Sequence, residues 1–434
     1  MNGSQTIGGN TLHWSIRAGW HTRADGTRRF HLVLWMLDPV SGQVPDAILL
    51  TPADRPAIRI VPTMRRTDVM RAKKVPQALW PQAQLCGFQY GQELDGNPVH
   101  LRIAIAGTEH DLGELRPSAV AVLEGREGWL FLAGDANDSP AQYAQAYSPS
   151  REWRAGWHGY FAGLDVLRHS QPSIRSLSFV VAPSKESVCE DLYPLPKSPR
   201  ALIDVFLEAF GSNADLFWPS ALLRPCRDYA FDKVETHWTD FGARRTCEAL
   251  LKSWGVTPAS PPNRYRLEEG PGDLGDRMLQ STRALRPVAD WPNPARLIFD
   301  NFALHHGNIR VWQNPKPVID ETLMIFGGSS ADYMVRYLSA IFARIVSVYT
   351  AGVPDPDLIA HEQPARIILQ ISQRFLTRPA ETRTDVFETA RQKIEKGQIA
   401  PCADHAREMQ RWRTEDGIDL YLGRTPIVAH SGNR

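Results

Sequence analysis

The sequence predicts an α/β protein in which a mostly parallel sheet flanked by helices follows an N-terminal β-sandwich. Two patterns favour this fold class. Over residues 1–117, short runs of β-branched or alternating apolar residues are separated by Pro, Gly and Asp, as is typical of a sandwich. From residue 118 onward, apolar strand-like runs alternate with segments of helical spacing. This alternation indicates a parallel sheet with helices on its faces.

The length of the chain favours more than one domain, because 434 residues exceed what one ordinary hydrophobic core accommodates. The pattern changes near Arg116-Pro117, and the chain turns polar and charged after about residue 378. We therefore predict a β-sandwich over residues 1–117, an α/β domain over 118–378 and a polar, helical or frayed tail over 379–434.

In the N-terminal region we predict strands at HLVLWML (31–37), DAILL (46–50), PAIRIVP (56–62) and VHLRIAIAG (99–107). Alternation is clearest in the last run. Its apolar residues Val99, Leu101, Ile103 and Ile105 fall on one face of an extended strand.

In the α/β region the pattern predicts both strands and helices. The strands are LSFVVAP (177–183), TLMIF (322–326) and ARIILQIS (365–372). The helices are RALIDVFLEAF (200–210), RRTCEALLKSWG (244–255) and ADYMVRYLSAIFARI (331–345), and Gly211 and Gly255 are expected to end the first two. Beyond residue 378, VFETARQKIEKG is expected to form an exposed helix and TPIVAHSGNR a frayed end.

Composition excludes several classes of function. The net charge is +1 and no Lys/Arg block stands out, which argues against nucleic acid as a partner. The sequence shows neither a secretory signal nor the run of about 18 apolar residues that a membrane helix needs, so we expect a cytoplasmic protein. The five cysteines are widely spaced without a CxxC, which argues against disulfides and structural zinc. His305-His306 has no metal-site spacing, and we predict no metal.

A candidate nucleophile lies in MIFGGSSADYMVRYL (324–338), where an apolar strand leads through Gly327 and Gly328 to a helix. Ser329 would then lie at the carboxyl edge of the sheet, where open α/β folds bind ligands. The helix N-terminus would favour a developing oxyanion. The alternative is that Ser329 or Ser330 only caps the helix. The segment is not a P-loop, because no GK[ST] follows the glycines.

A candidate base lies in VETHWTDFGA (234–243). In an extended segment, residues i and i+2 point to the same side, so Glu235 can hold one imidazole nitrogen of His237 and leave the other for Ser329. Thr239 is expected to cap the following helix, with Asp240 in its first turn. The alternative is a surface Glu/His pair beside a helix cap.

Four stretches follow one another along the chain: VLEGREGWLFLAGD (122–135), VVAPSKESVCEDLYP (180–194), DKVETHWTDFGARR (232–245) and LMIFGGSSADYMVRYL (323–338). The trailing strand PARIILQISQRFL (364–376) comes after them. This ordered set resembles the SGNH-like acyltransferase domain of the alginate O-acetyltransferase family over residues 118–378. The resemblance implies an SGNH-hydrolase-like sheet, with Ser329 as nucleophile, His237 as histidine and Glu235 as triad carboxylate.

Three positions depart from the family pattern. Glu235 stands where the family usually has Asp, Gly328 replaces the Asp of G-D-S, and Gln373 precedes Arg374 where a Glu is common. These departures predict either a changed substrate or a degenerate site. The N-terminal region, through RRTDVMRA (65–72) and LCGFQYGQEL (85–94), also resembles accessory sandwich domains found beside bacterial surface-polysaccharide glycosyltransferases.

The resemblance implies a serine-dependent O-acyltransferase, within that class an O-acetyltransferase, acting on a bacterial surface polysaccharide or its precursor. We expect such an enzyme to need no cofactor beyond an acyl donor such as acetyl-CoA. Its expected partners are glycosyltransferases or other polysaccharide-assembly proteins. Lys185, Trp129 and Trp238 are candidate substrate-binding residues; alternatively Lys185 is an exposed salt-bridge partner and the tryptophans are core residues. The rival functions are a carbohydrate acetylesterase using the same triad and a non-catalytic glycan-binding or assembly protein.

Overall fold

The protein is a mixed α/β structure with several sheets. The computed structural model describes residues 2–7, 9–23, 27–53, 55–93, 99–115, 118–258, 261–278, 281–396 and 403–425. Arg116 and Pro117, at the predicted domain boundary, lie outside the described residues, as do Cys402 and residues 426–434 of the predicted frayed end. Among the described residues, no helix is both long and apolar enough to cross a membrane.

The described residues up to Leu132 are mainly in strands, because the short apolar runs of this region are interrupted by turn residues. The elements are β1 (Asn2–Ile7), β2 (Asn10–Thr22), β3 (Arg28–Leu37), β4 (Ala47–Pro52), β5 (Ile58–Ile60), β6 (Met64–Arg65), α1 (Thr67–Ala72), α2 (Trp80–Ala83), β7 (Leu85–Glu93), β8 (Val99–Ile105), β9 (Thr108–Leu115), β10 (Ser118–Glu124) and β11 (Leu130–Leu132).

These strands form two sheets. One has the order β11-β10-β2-β3-β7-β6, with β1 also paired to β2, and the other has the order β5-β4-β8-β9. Apolar residues of both sheets, including Leu32 and Phe88 from one and Ile48 and Ile103 from the other, bury one common cluster. The inward face predicted for residues 99–105 is confirmed, since Val99, Leu101, Ile103 and Ile105 are buried in β8; Ala104, on the other face, is buried as well.

The rest of the chain alternates helices and strands. The elements are α3 (Ser139–Ala144), α4 (Arg151–Ser170), β12 (Ser176–Ala182), α5 (Leu202–Phe210), β13 (Leu216–Phe217), α6 (Ser220–Leu223), α7 (Arg227–Ala230), α8 (Asp240–Ser253), β14 (Tyr265–Gly270), α9 (Gly272–Gly275), β15 (Ala284–Ala289), β16 (Arg296–Asp300), β17 (Ile309–Gln313), β18 (Ile319–Gly327), α10 (Ser329–Leu338), β19 (Phe342–Tyr349), α11 (Pro356–Glu362), β20 (Arg366–Ser372), α12 (Val386–Glu395), α13 (Ala403–Trp412) and α14 (Asp419–Arg424).

A second seven-stranded sheet, counted over the described residues, has the order β13-β12-β20-β18-β19-β17-β16. The first five strands pair in parallel, whereas β17 and β16 are antiparallel. The carboxyl ends of β12, β18, β19 and β20 therefore meet at one edge, and the loops that leave them can share a site.

This sheet is buried on both faces, which explains why its strands read as continuous apolar runs. In β18, Met324 and Phe326 belong to the cluster on one face, whereas Leu323 and Ile325 belong to the cluster on the other. Residues of α4, α5 and α12 pack into the first cluster and residues of α8 and α10 into the second. Helices therefore cover both faces and leave the carboxyl edge to the loops.

Two predicted helices need correction. The helix predicted over 331–345 ends at Leu338, and Phe342–Tyr349 is strand β19, because pairing with β18 and β17 overrides the local helical spacing. The helix predicted to be exposed beyond residue 378 is α12, whose Val386, Phe387 and Ala390 are buried. Their shared face packs on the molecule instead of facing solvent.

The predicted helix ends are confirmed. Gly211 is the residue that follows α5, and Gly255, with φ of +71°, follows the last turn of α8. Positive φ has little steric cost for glycine.

Candidate active site

The structure brings together Ser329, His237 and Glu235. The distance from Ser329 Oγ to His237 Nε2 is 2.7 Å, and the distance from His237 Nδ1 to Glu235 Oε1 is also 2.7 Å. The two imidazole nitrogens thus bond to different partners, and a hydroxyl, an imidazole and a carboxylate form one continuous chain. This is the geometry in which a histidine accepts a proton from a serine while a carboxylate orients the ring.

Ser329 owes its position to the strand-to-helix turn. It is the first residue of α10, Gly328 precedes the helix, and no side chain caps this end. The alternative that Ser329 or Ser330 only caps the helix is therefore wrong. A Cβ on Gly327 would lie 2.4 Å from Ala331 Cβ, so this position needs glycine for close approach. The Gly328 N–H donates to Gln370 Oε1 at 2.8 Å, which fastens the turn to β20.

His237 lies on the loop before α8. The predicted cap is confirmed, since Thr239 Oγ1 accepts from the Gly242 N–H at 3.2 Å and Asp240 occupies the first turn. The Trp238 indole donates to the Ser330 carbonyl at 3.0 Å, so the histidine loop is tied directly to the nucleophile helix. The Tyr333 ring stacks on His237 with centroids 5.9 Å apart.

The alternative of a surface Glu/His pair is wrong, because the side chains of His237 and Glu235 are only 17% and 11% exposed. Burial acts to raise the pKa of Glu235, but its hydrogen bonds to His237 and Asp273 outweigh this and hold that pKa well below its usual range. Glu235 is therefore ionised at neutral pH. An ionised carboxylate at Nδ1 keeps the proton on that nitrogen and leaves Nε2 free to accept one.

Asp273 is a site residue that the sequence did not reveal. Its Oδ1 accepts from the Thr236 N–H at 2.7 Å, its Oδ2 accepts from Thr236 Oγ1 at 2.7 Å, and its own N–H donates to Glu235 Oε2 at 3.0 Å. It lies in PGDLGD (271–276), an ordinary turn sequence. No local pattern marks it, because its partners are 37 and 38 residues away.

The three predicted substrate-binding side chains are buried: Trp129, Trp238 and Lys185 are 2%, 1% and 3% exposed. The alternative of an exposed Lys185 salt bridge is wrong. Its Nζ donates to the carbonyls of Asp232 and Lys233 at 2.8 and 3.1 Å and lies 5.5 Å from the Trp129 ring. Burial lowers the pKa of Lys185 to about 8. Lys185 therefore stabilises the backbone of Asp232 and Lys233, which leads into the histidine loop.

Two glutamines of the trailing strand support the site. Gln373, at the position that departs from the family pattern, is buried and accepts from the Ser184 N–H at 3.0 Å. Gln370, which sequence reasoning missed, is fully buried and holds Gly328. An amide oxygen suits both contacts, because each partner is a backbone donor.

Glu235, His237 and Asp273 place ligand atoms within 4.8 Å of one another, a spacing that could hold a cation. Both nitrogens of His237 are already bonded, to Glu235 and Ser329. A cation bound through His237 would therefore break the hydrogen bonds from Glu235 through His237 to Ser329. We assign Glu235, His237 and Asp273 to this hydrogen-bonded network instead of to a metal site.

A cavity of about 440 Å³ lies at the carboxyl ends of β19 and β20. Tyr349, Thr350 and Ala351 line it, and the N–H groups of Thr350 and Ala351 donate to the Gly327 carbonyl at 2.9 and 2.8 Å. The cavity wall is thus joined to the strand end that precedes Ser329. Its size is within the range of small-molecule sites.

The fold and the site together define a mixed α/β protein with a serine–histidine–carboxylate chain at a sheet edge. No family model matches the sequence, and the curated proteins contain no significant match. Among solved structures, PatB1 from Bacillus cereus with a sulfonyl adduct is 12% identical, with a TM-score of 0.43, over 62% of this chain and 99% of that one. A second PatB1 structure is 10% identical, with a TM-score of 0.41, over 60% of this chain and 96% of that one.

Proposed function

We propose that this protein is a serine-dependent O-acyltransferase, and specifically an O-acetyltransferase, that acts on a bacterial surface polysaccharide or its precursor. The observation that carries the acyl-transfer chemistry is the unbroken chain from Glu235 through His237 to Ser329, with both links at 2.7 Å. This chain favours a catalytic protein over the non-catalytic glycan-binding alternative.

In the first half-reaction, Ser329 Oγ attacks the acyl carbonyl of the donor while His237 Nε2 takes its proton. Glu235 stabilises the imidazolium that forms. The tetrahedral oxyanion lies at the start of α10, where the first N–H groups have no intrahelical acceptor and the helix dipole is positive. Collapse breaks the bond to the leaving group, which takes the proton from His237, and leaves an acyl-Ser329 ester.

In the second half-reaction, a hydroxyl of the acceptor gives its proton to His237 Nε2 and attacks the acyl-serine carbonyl. The bond to Ser329 Oγ breaks, and the serine recovers the proton from His237. The same steps with water as acceptor make the protein an acetylesterase. The difference between the two outcomes is which hydroxyl reaches the acyl group first.

The carbohydrate acceptor comes from the family resemblance, and we place its non-reacting part in the cavity that is joined to the Gly327 turn. Ser329, His237 and Glu235 do not line this cavity, so the reacting hydroxyl would have to extend from it to the acyl group. Polar side chains line this cavity, and their mixture of donors and acceptors with both charge signs suits an uncharged polyhydroxy ligand. They are Asn137, Thr377, Arg378, Glu381 and Thr384.

The same proposal assigns an SGNH-like fold to residues 118–378, a carbohydrate-associated β-sandwich to residues 1–117 and a tail to 379–434. We further propose that acetyl-CoA is a candidate donor and that the protein is cytoplasmic. Glycosyltransferases or other polysaccharide-assembly proteins are its proposed partners. Lys185, Trp129 and Trp238 would then act on the substrate indirectly, by holding the loops around it.

The test is incubation of the protein with an acetyl donor and an acceptor glycan, followed by mass spectrometry of the glycan. Acetylated sugar above the level given by Ser329→Ala is the expected result. Release of acetate without glycan acetylation would assign the esterase activity instead. If neither product forms with a panel of acetyl esters and thioesters, and Ser329 does not become acetylated, the proposal is wrong.

A further inference from the structure

The carboxylate of the site is held at both of its oxygens. Glu235 Oε1 accepts from His237 Nδ1 at 2.7 Å and from the Thr236 N–H at 3.0 Å, while Oε2 accepts from the Asp273 N–H at 3.0 Å. Glutamate has one more rotatable bond than aspartate, so an unanchored Glu235 would sample more rotamers. The bond to Oε2 restricts this freedom.

Asp273 also holds the residue between Glu235 and His237. Both of its carboxylate oxygens accept from Thr236, one from the N–H and one from Oγ1, each at 2.7 Å. Through its backbone it therefore fixes the carboxylate, and through its side chain it fixes the backbone that carries the histidine. The backbone N–H and the side chain of Asp273 thus hold two adjacent residues, Glu235 and Thr236.

The turn around Asp273 is shaped for this contact. Gly272 has φ of +57°, and a Cβ there would lie 2.3 Å from the Val234 carbonyl oxygen. That same oxygen accepts from the N–H groups of Leu274 and Gly275, both at 3.0 Å. Glycine is required here by both the backbone conformation and the close approach. The turn thus lies directly against the residue that precedes Glu235.

The turn is anchored in an apolar cluster. Leu274 and Met278 bury their side chains with Val234, Val122 and Leu130, and the last two lie on the strands β10 and β11 that join the N-terminal sheet. The Leu130 N–H donates to the Lys233 carbonyl at 2.8 Å. Asp273 therefore has a fixed support independent of α8 and α10.

We propose that Asp273 is a positioning residue of the triad, which locks Glu235 and Thr236 so that the longer carboxylate side chain presents one oxygen to His237. This inference rests on the proposed function, and it explains how glutamate can serve where the resembled family usually has aspartate. Asp273 does not contact the reacting atoms.

Asp273 also contributes charge. Burial and the neighbouring Glu235 both raise the pKa of Asp273, and its ionised form adds a second anion beside the imidazolium that forms during catalysis. The charged and titratable groups around the His237–Glu235 pair come from several elements. They are Asp273 and Arg277 at the turn, Asp232 before the histidine loop, Asp332 and Tyr333 on α10, Lys185 after β12 and Arg286 on β15. Removal of one anion from this set destabilises the imidazolium.

The test is the rate at which a fluorophosphonate labels Ser329 as a function of pH, because this reaction needs neutral His237 as base. For Asp273→Asn, we expect the plateau rate to fall about 10- to 100-fold, since a misplaced base is costly. We also expect the midpoint of the curve to move to lower pH, because the variant lacks one of the anions beside the base. Asp276→Asn is the matched control, because Asp276 lies in the same turn but is exposed, and it should leave both values unchanged.

A folded Asp273→Asn variant with an unchanged midpoint would overturn the inference, because a role in local stability alone lowers the amount of active protein without moving the curve. If this variant does not fold, Thr236→Val removes the Oγ1 bond to Asp273 and keeps the shape; a wild-type plateau rate in that variant would equally overturn it. Absence of Ser329 labelling in the wild type would instead refute the proposed function, and the inference with it.

Discussion

The two halves of the candidate site are held in different ways. Ser329 lies between regular elements, at the end of β18 and the start of α10. Two side chains bond to its turn: Gln370 accepts from the Gly328 N–H, and Trp238 donates to the Ser330 carbonyl. His237 and Glu235 lie on an irregular loop whose position depends on contacts from distant segments. Asp273 accepts from the Thr236 N–H, and Lys185 donates to the Asp232 carbonyl. The nucleophile is thus placed by secondary structure and the base by tertiary hydrogen bonds.

This difference has a consequence for mutations. Changes at the nucleophile should act either on the reacting oxygen or on the packing of the turn. Changes at the base should act at a distance, through residues that never contact substrate.

The largest effect is expected for Ser329→Ala. Loss of the attacking oxygen should lower turnover of p-nitrophenyl acetate by about 10⁴-fold or more, with little change in thermal stability, because Ser329 does not cap α10. Steady-state kinetics and a melting curve measure the two quantities. Turnover within about tenfold of wild type would mean that another residue is the nucleophile.

The next effect is expected for Glu235→Gln. The amide can still contact His237 but cannot stabilise an imidazolium or hold the Nδ1 proton, so turnover should fall by about 10³- to 10⁴-fold. Asp232→Asn is a useful comparison, since this neighbouring carboxylate is also buried but forms no bond to His237 among the described contacts. Near-normal turnover in Glu235→Gln would remove Glu235 from the triad.

At the nucleophile turn, two adjacent glycines should respond differently to alanine. In Gly327→Ala, the new Cβ would lie 2.4 Å from Ala331 Cβ, whereas in Gly328→Ala the nearest atom is 3.8 Å away. Overpacking should destabilise the first variant by about 1–3 kcal/mol. The second should lose much less stability. Chemical denaturation of the matched pair measures this difference, and equal stabilities would contradict the close contact.

A further effect, on stability alone, concerns Lys185, which contacts the backbone just before the histidine loop. Its pKa is lowered to about 8 by burial, so folding carries a penalty below pH 8 that disappears as the pH rises towards the ordinary value of 10.5. Relative to Lys185→Met, the wild type should gain at most about 3 kcal/mol of unfolding free energy between pH 7 and 10.5. Paired denaturation curves at the two pH values provide the measurement, and a difference that does not change with pH would contradict a buried, charged Lys185.

The difference between a nucleophile placed by secondary structure and a base placed by tertiary contacts also explains which site residues the sequence could predict. Gly327, Gly328 and Ser329 follow an apolar strand and precede a helix, so their placement depends on local order alone. The spacing of Glu235 and His237 and the cap at Thr239 are equally local. Asp273 and Gln370 could not be found this way, because each reaches the site through contacts between segments about 40 residues apart.

The errors in the fold have a related origin. Residues 339–345 continue the helical spacing of α10, yet Phe342–Tyr349 pairs with two neighbouring strands, and only the tertiary structure determines that choice. For α12 the signal was present in the sequence, since Val386, Phe387 and Ala390 fall on one helical face. The polar composition of the segment obscured it.

Labelling of the protein with a fluorophosphonate, followed by peptide mapping, tests the central claim most directly. The adduct should form on Ser329 in the wild type, and its rate of formation should fall by at least about 10³-fold in His237→Ala and Glu235→Gln. A folded protein that is not modified at Ser329, or whose labelling rate is the same in all three forms, would contradict the account of Ser329, His237 and Glu235 as one catalytic unit.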